Sequence, residues 1–150
     1  GVGLVACCDI AIGTPAARFG LTETRLGLLP AVISPYVVAA IGPRQARRWF
    51  ASAGTFDADT AARIGLLHEV VAAEALDAAV QAQVELLCRA APRATGMAKA
   101  LVRQVLAERD PAACDRANAG LIAALRVSPE GQEGLGAFLE KRTPAWATEA

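Results

Sequence analysis

The sequence predicts an α/β chain, mostly helical, in which brief strands and glycine turns give way to long helices. Two observations carry this. Glycine and proline punctuate the start at short intervals (Gly13-Thr14-Pro15, Gly20, Gly27, Pro30), whereas later prolines fall between apolar-periodic stretches, at Pro92, Pro111 and Pro129. The chain is 54% hydrophobic with only two Trp, one Tyr and four Phe. Alanine dominates the apolar set, so the core is expected to be close-packed from small and aliphatic side chains.

Residues 1–8 are small and apolar, and Asp9-Ile10-Ala11-Ile12-Gly13 alternates weakly, which fits a short helix leading into a short strand. Ala17-Arg18-Phe19-Gly20 reads as a second strand closed by glycine. Thr22 has N-cap chemistry, Glu23 follows in a first helical turn, and Gly27 and Pro30 end it. Helical spacing resumes at Ile33, with Ser34-Pro35 as cap and first position. Gly42-Pro43 breaks that helix, and Arg44 to Ala53 forms another with basic residues at 44, 47 and 48. Asp57 is placed to cap a helix from Ala58 to Ile64 that ends at Gly65. Leu66-Leu67-His68-Glu69-Val70-Val71 is the last strand, and helices are expected over 74–90, 94–108, 112–126 and 130–141. No repeat or low-complexity linker marks a second independent domain.

The chain has 150 residues, 15 basic and 15 acidic side chains and no net charge. This length suits one domain burying about two-thirds of its unfolded surface. Balanced charge argues against a nucleic-acid binder, and Asp9 interrupts the leading apolar run well short of the ~18 residues of a membrane span. No charged n-region precedes an apolar run, so no secretory signal is expected. Cys7, Cys8, Cys88 and Cys114 show no zinc spacing and read as reduced thiols in a cytoplasmic protein. His68 is the only histidine and reads as structural, since it has neither a metal cluster nor a triad partner. Three short strands cannot stabilise a sheet alone, so the chain reads as the later part of a larger domain, its amino-terminal half absent.

Four blocks resemble the enoyl-CoA hydratase/isomerase (crotonase) superfamily and follow its order. They are Gly1-Val2-Gly3-Leu4-Val5-Ala6-Cys7-Cys8-Asp9-Ile10, Phe19-Gly20-Leu21-Thr22-Glu23-Thr24-Arg25-Leu26-Gly27-Leu28-Leu29-Pro30, the stretch from Ala61 to Val71, and that from Glu133 to Pro144. The resemblance implies that residues 1–72 end a right-handed ββα spiral carrying the active-site segment, and that 73–150 form a helical oligomerisation region. It further implies a homotrimer or dimer of trimers acting on an acyl-CoA substrate, with no cofactor beyond the CoA thioester itself and no metal.

Hydrating a 2-enoyl thioester needs a base for water, an acid for the α-carbon, and dipoles for the enolate oxygen. A carboxylate in apolar surroundings can both take and give a proton in the neutral range. Glu23, among Phe19, Leu21, Leu26 and Leu28, has this setting, and by resemblance it falls on a catalytic glutamate of the family. The family's other glutamate aligns with Gly3. Glu23 then performs both transfers, or another residue or the substrate's own carboxylate assists, or the reaction is a single-base double-bond isomerisation. A non-catalytic oligomerisation module is a further alternative. Gly1 and Gly3 mark the edge of the oxyanion hole, and the 150-residue chain alone is expected to have little activity.

Leu21, Ala31 and Val32 are expected to shape the acyl pocket. The segment Ala31-Val32-Ile33-Ser34-Pro35-Tyr36, standing where many hydratases carry glycines, resembles bacterial methylglutaconyl-CoA hydratase-like members, which handle branched or carboxylated acyl groups. Arg25 is a candidate partner for a substrate carboxylate and equally a solvated surface arginine. Phe138 near the adenine and Lys141, with Arg142, near the phosphates are candidate CoA contacts, although a charged helix end explains the two cations as well.

Overall fold

The structure is a computed structural model that describes residues 1–147, so the last three residues of the expected 73–150 region lie outside it. Helices dominate, and the described strands are two or three residues long. The chain divides into two compact units, Gly1–Gln81 and Ala82–Ala150.

The first unit begins with α1 (Val2–Cys7), followed by β1 (Ile12–Gly13) and β2 (Arg18–Gly20). A 3-10 turn over Glu23–Leu26 leads to α2 (Ser34–Ser52), and β3 (Thr55–Asp57), α3 (Ala58–Arg63) and β4 (Glu69–Val70) complete the set. Strands β1 and β4 pair in parallel, with Ile12 beside Glu69, and β2 and β3 pair antiparallel, with Phe19 beside Phe56. Strand β3 is not among the sequence expectations, because Thr55-Phe56-Asp57 is too short to show a period. Its pairing is fixed from outside, by Phe19 stacking on Phe56 with ring centroids 5.7 Å apart and Trp49 lying 4.4 Å from Phe56. The core gathers Leu21, Val37, Ile41, Trp49, Phe56 and Leu66 with the small Ala46, Ala58 and Ala61.

Several sequence signals act as expected. Gly42, with φ of 72° and ψ of 161°, interrupts α2 ahead of Pro43 and splits it into two limbs. The Asp57 carboxylate caps α3 by accepting the Thr60 N–H at 2.8 Å. His68 is structural: its N–H donates to the Ala11 carbonyl at 2.8 Å, and its Nδ1 accepts the Ala11 N–H at 3.1 Å, clasping β1 to β4. Two caps differ from expectation. Thr22 occupies the N-cap without a side-chain bond to the turn. Ile33, not Ser34, caps α2; Ser34 becomes its first residue, with Oγ donating back to the Ala31 carbonyl at 2.8 Å.

Helix α4 (Leu76–Arg89) contains the division between units, and α5 (Pro92–Ala107), α6 (Pro111–Arg126) and α7 (Pro129–Glu140) make up most of the second. Each of the last three starts on its proline, rather than two, one and one residues later as the sequence reading had it. Proline lacks the N–H that a first turn leaves unpaired, and its φ is already helical. Asp110 and Ser128 cap α6 and α7, whereas α5 has Ala91 at its cap and borrows a distant group. The Glu130 carboxylate accepts the N–H groups of Arg93 and Ala94 at 3.1 and 2.8 Å. Among the described residues the four cysteines are free, and no helix is long and apolar enough to cross a membrane.

Candidate active site

Glu23 is delivered by a segment pinned at both ends. Leu21, 1% exposed, anchors the exit from β2 in the core. The 3-10 turn then closes on Gly27, whose φ of 71° is left-handed and natural to glycine. Gly27 N–H bonds the Thr24 carbonyl at 3.3 Å, and Leu28 N–H bonds the Glu23 carbonyl at 3.1 Å. A tether from Thr24 Oγ1 to the Phe50 carbonyl, 3.0 Å long, ties the turn to α2.

Thus held, Glu23 lines a cavity of about 430 Å³. Gly1, Val2, Gly3, Leu4 and Cys7 form one side, Gly20 and Leu21 flank the carboxylate, and Val32, Ile33 and Tyr36 complete the wall. Among the described residues Glu23 is the single carboxylate in that wall. Its Oε2 is shut off from solvent and has no hydrogen-bond partner among the described residues. An unpaired carboxylate oxygen among aliphatic groups is costly to keep and is available to a bound molecule's proton.

Gly3 is specified by its neighbour. A Cβ at this position would fall inside contact distance of Ile33 Cγ2 and lie 3.0 Å from Ile33 Cβ. A β-branched side chain has little freedom to turn aside. The room that a second acidic side chain would need at position 3 is therefore filled by Ile33.

The structure brings Glu23, Gly1, Gly3, Leu21 and Val32 to one cavity and leaves Ala31 out. Ala31 lies exposed in the turn before α2, where its carbonyl accepts from Ser34 N–H and Oγ at 3.4 and 2.8 Å. That capping duty fixes its place away from the wall. Arg25 is exposed and is not a wall residue either. Ile33, Tyr36 and Cys7 are wall residues beyond those singled out in the sequence. Ile33 and Tyr36 stand one helical turn apart at the start of α2, a spacing that would have flagged a shared face.

The candidate CoA contacts belong to the second unit. Phe138 is 80% exposed. Lys141 closes α7 in a left-handed conformation, φ 54°, its N–H on the Phe138 carbonyl at 3.3 Å. Arg142 is committed within the chain: it donates to both Glu133 oxygens at 2.6 and 2.8 Å and to Glu140 at 2.7 Å. That bidentate hold, with the Ala145 N–H at 2.8 Å, keeps the Glu133 carboxyl well below its usual range, at about 2. Among the described residues no three His, Cys, Asp or Glu side chains gather to hold a metal.

Short strand pairs, a glycine-closed turn presenting a carboxylate to a mostly apolar cavity, and a following run of helices characterise a crotonase-like fold. The comparisons agree with that class: residues 1–149 match the family described as Enoyl-CoA hydratase/isomerase, and the chain belongs to it. It superposes on an enoyl-CoA hydratase of Shewanella pealeana with a TM-score of 0.92 at 42% identity, covering 97% of this chain and 54% of that one. AtuE of Pseudomonas aeruginosa gives 0.92 at 43% identity, covering 99% and 57%. A mitochondrial enoyl-CoA hydratase domain-containing protein 3 of Danio rerio is 27% identical over 147 residues, which is 98% of this chain and 50% of the relative. The chain spans about half the length of the curated relatives it matches.

Proposed function

We propose that the complete protein adds water across the double bond of a 2-enoyl-CoA thioester, with Glu23 as its acid–base group. The observation that carries this is the unpartnered Oε2 of Glu23 in an otherwise apolar wall. Relatives named as enoyl-CoA hydratases support the substrate class. With a glycine at position 3, one carboxylate serves both transfers. Glu23 takes a proton from water as the hydroxyl oxygen bonds C3 and the double-bond electrons move toward the thioester oxygen. The carboxylic acid so formed returns that proton to C2 on the same face. One O–H bond and one π bond break, C–O and C–H bonds form, and the carboxylate is regenerated. In this reading Gly1 and Gly3, at the amino end of α1, mark the edge of the oxyanion hole that would receive the enolate oxygen.

The apolar segment Val32-Ile33 with Tyr36 suits a branched acyl group, and the absence of Arg25 from the wall removes one partner for a carboxylated one. Exposed Leu86, Val102, Leu106 and Leu139 in the second unit supply apolar surface for a trimer, or a dimer of trimers, of this chain. Phe138 and Lys141 remain proposals for CoA binding. A single base also supports a second reading, favoured by the Gly3–Ile33 contact: Glu23 moves a proton from C4 to C2 and shifts the double bond without adding water.

The test uses the protein with its preceding coding sequence, wild type against Glu23→Gln, on straight and branched 2-enoyl-CoA thioesters in deuterated water. Hydration predicts one deuterium at C2 with a hydroxyl at C3, and a loss of about 100-fold or more in kcat for the variant. A shifted double bond without a hydroxyl selects the isomerase reading. Unchanged turnover in Glu23→Gln refutes both.

A further inference from the structure

The first unit holds another cavity, about 350 Å³, whose wall is polar where that of Glu23 is apolar. Three arginines line it: Arg18 from β2, Arg48 from the second limb of α2, and Arg63 from the last turn of α3. Thr55 and Thr60 add hydroxyls, and Asp57 is the one carboxylate in the wall.

Each arginine is held by an uncharged group. Arg18 Nη1 donates to the carbonyls of Pro15 and Ala17, both at 2.9 Å. Arg63 Nη2 donates to Thr60 Oγ1 at 2.9 Å. The Arg48 guanidinium carbon lies 4.4 Å above the Trp49 ring. A guanidinium offers five N–H donors in a fixed fork, so these contacts orient the groups without exhausting them. Asp57 is occupied with Thr60: hydrogen bonds from that residue, and then the charges of Arg18 and Arg63, hold its carboxyl below the usual range. Trp49, another wall residue and only 7% exposed, keeps an indole N–H with no acceptor.

The wall therefore combines many donors with one carboxylate already engaged by Thr60, and its three cations against one anion leave two positive charges. We infer that this cleft binds a phosphate-type oxyanion. A dianion balances the charge, and its several oxygens suit forks arriving from three elements. The volume exceeds that of inorganic phosphate, so both free phosphate and the phosphate end of a small monoester fit the same chemistry.

Isothermal titration of the complete protein at constant ionic strength, with inorganic phosphate and with glycerol 3-phosphate as probes, tests this. Saturable binding of either probe is expected, the tighter one identifying the source. Arg48→Gln with Arg63→Gln should weaken it about tenfold or more, the loss of roughly one forked contact. Arg103→Gln, in the second unit, should leave it unchanged. If circular dichroism shows the double variant misfolded, Arg48→Gln alone, altering an exposed side chain, carries the test with the same sign. No saturable binding of either probe, binding indifferent to the cleft substitutions, or equal weakening by Arg103→Gln would overturn the inference.

Discussion

The contact between Gly3 and Ile33 allows a test whose sign depends on the background. Gly3 lies within α1, where alanine ordinarily gains about 0.5–1 kcal/mol over glycine. Here the new Cβ would run into Ile33 Cγ2, and Ile33, rooted at the start of α2 against the core, cannot simply turn away. Overpacking of this kind costs about 1–3 kcal/mol, so Gly3→Ala should lower stability by about 1 kcal/mol net. Ile33→Ala removes a half-buried side chain and should cost about 2 kcal/mol, the low end of the range for buried isoleucine. With Ile33 cut back to alanine, the Cγ2 obstacle is gone and the remaining Cβ, 3.0 Å away, offsets part of the helix gain, so Gly3→Ala should stabilise by about 0.2 kcal/mol. The four proteins form a double-mutant cycle, read by urea denaturation, with an expected coupling of about 1–1.5 kcal/mol. Additivity within about 0.5 kcal/mol would refute the steric argument, and with it the claim that Ile33 fills the place of a second acidic side chain.

Two further outcomes concern the second unit. A Cβ on Gly131 would strike the Leu125 carbonyl oxygen and lie 3.2 Å from that of Arg126, and main chain cannot yield as a side-chain tip can. Gly131→Ala should cost about 2–3 kcal/mol despite alanine's better helix propensity, and an unchanged or higher Tm would contradict it. Glu133, held at about 2 by Arg142 and the Ala145 N–H, favours the fold when ionised. Its contribution is therefore present above its ordinary value of 4.5 and lost as pH falls from there through about 2. The urea midpoint of the wild type should drop more steeply across that window than that of Glu133→Gln, and parallel curves would count against the pairing.

The long helices were legible because repetition over many residues averages out local exceptions. The sequence ranges 94–108, 112–126 and 130–141 fall short of the structural starts by two, one and one residues, since Pro92, Pro111 and Pro129 read as breaks when they are beginnings. In the short elements the period is uninformative and single residues decide. Gly27 and Gly42, both left-handed, marked their breaks correctly, and Asp57 marked its cap. Strand β3 escaped because its three residues gain their conformation from Phe19 and Trp49, which reach it from elsewhere in the chain. The cap of α5 escaped for the same reason: Glu130 supplies it from another helix, and nothing near Ala91 announces it.

The same division runs through the candidate site. Glu23 is placed by neighbours in sequence: Leu21 buried before it, Gly27 closing the turn after it, Thr24 tying the turn down. Such a residue can be picked from its local surroundings. The space in front of it is set by Val32, Ile33 and Tyr36 from the next element, and only packing shows which of them reach the wall and that Ala31 does not. The carboxylate and the apolar wall before it thus come from separate segments that meet at one cavity. On the proposed reading, substitutions at Ile33 or Val32 should alter which thioester is accepted while leaving the position of the exchanged proton unchanged, and substitution of Glu23 should suppress exchange for every thioester. On that reading, a change at the start of α2 alters the acyl group accepted without disturbing the turn that holds Glu23.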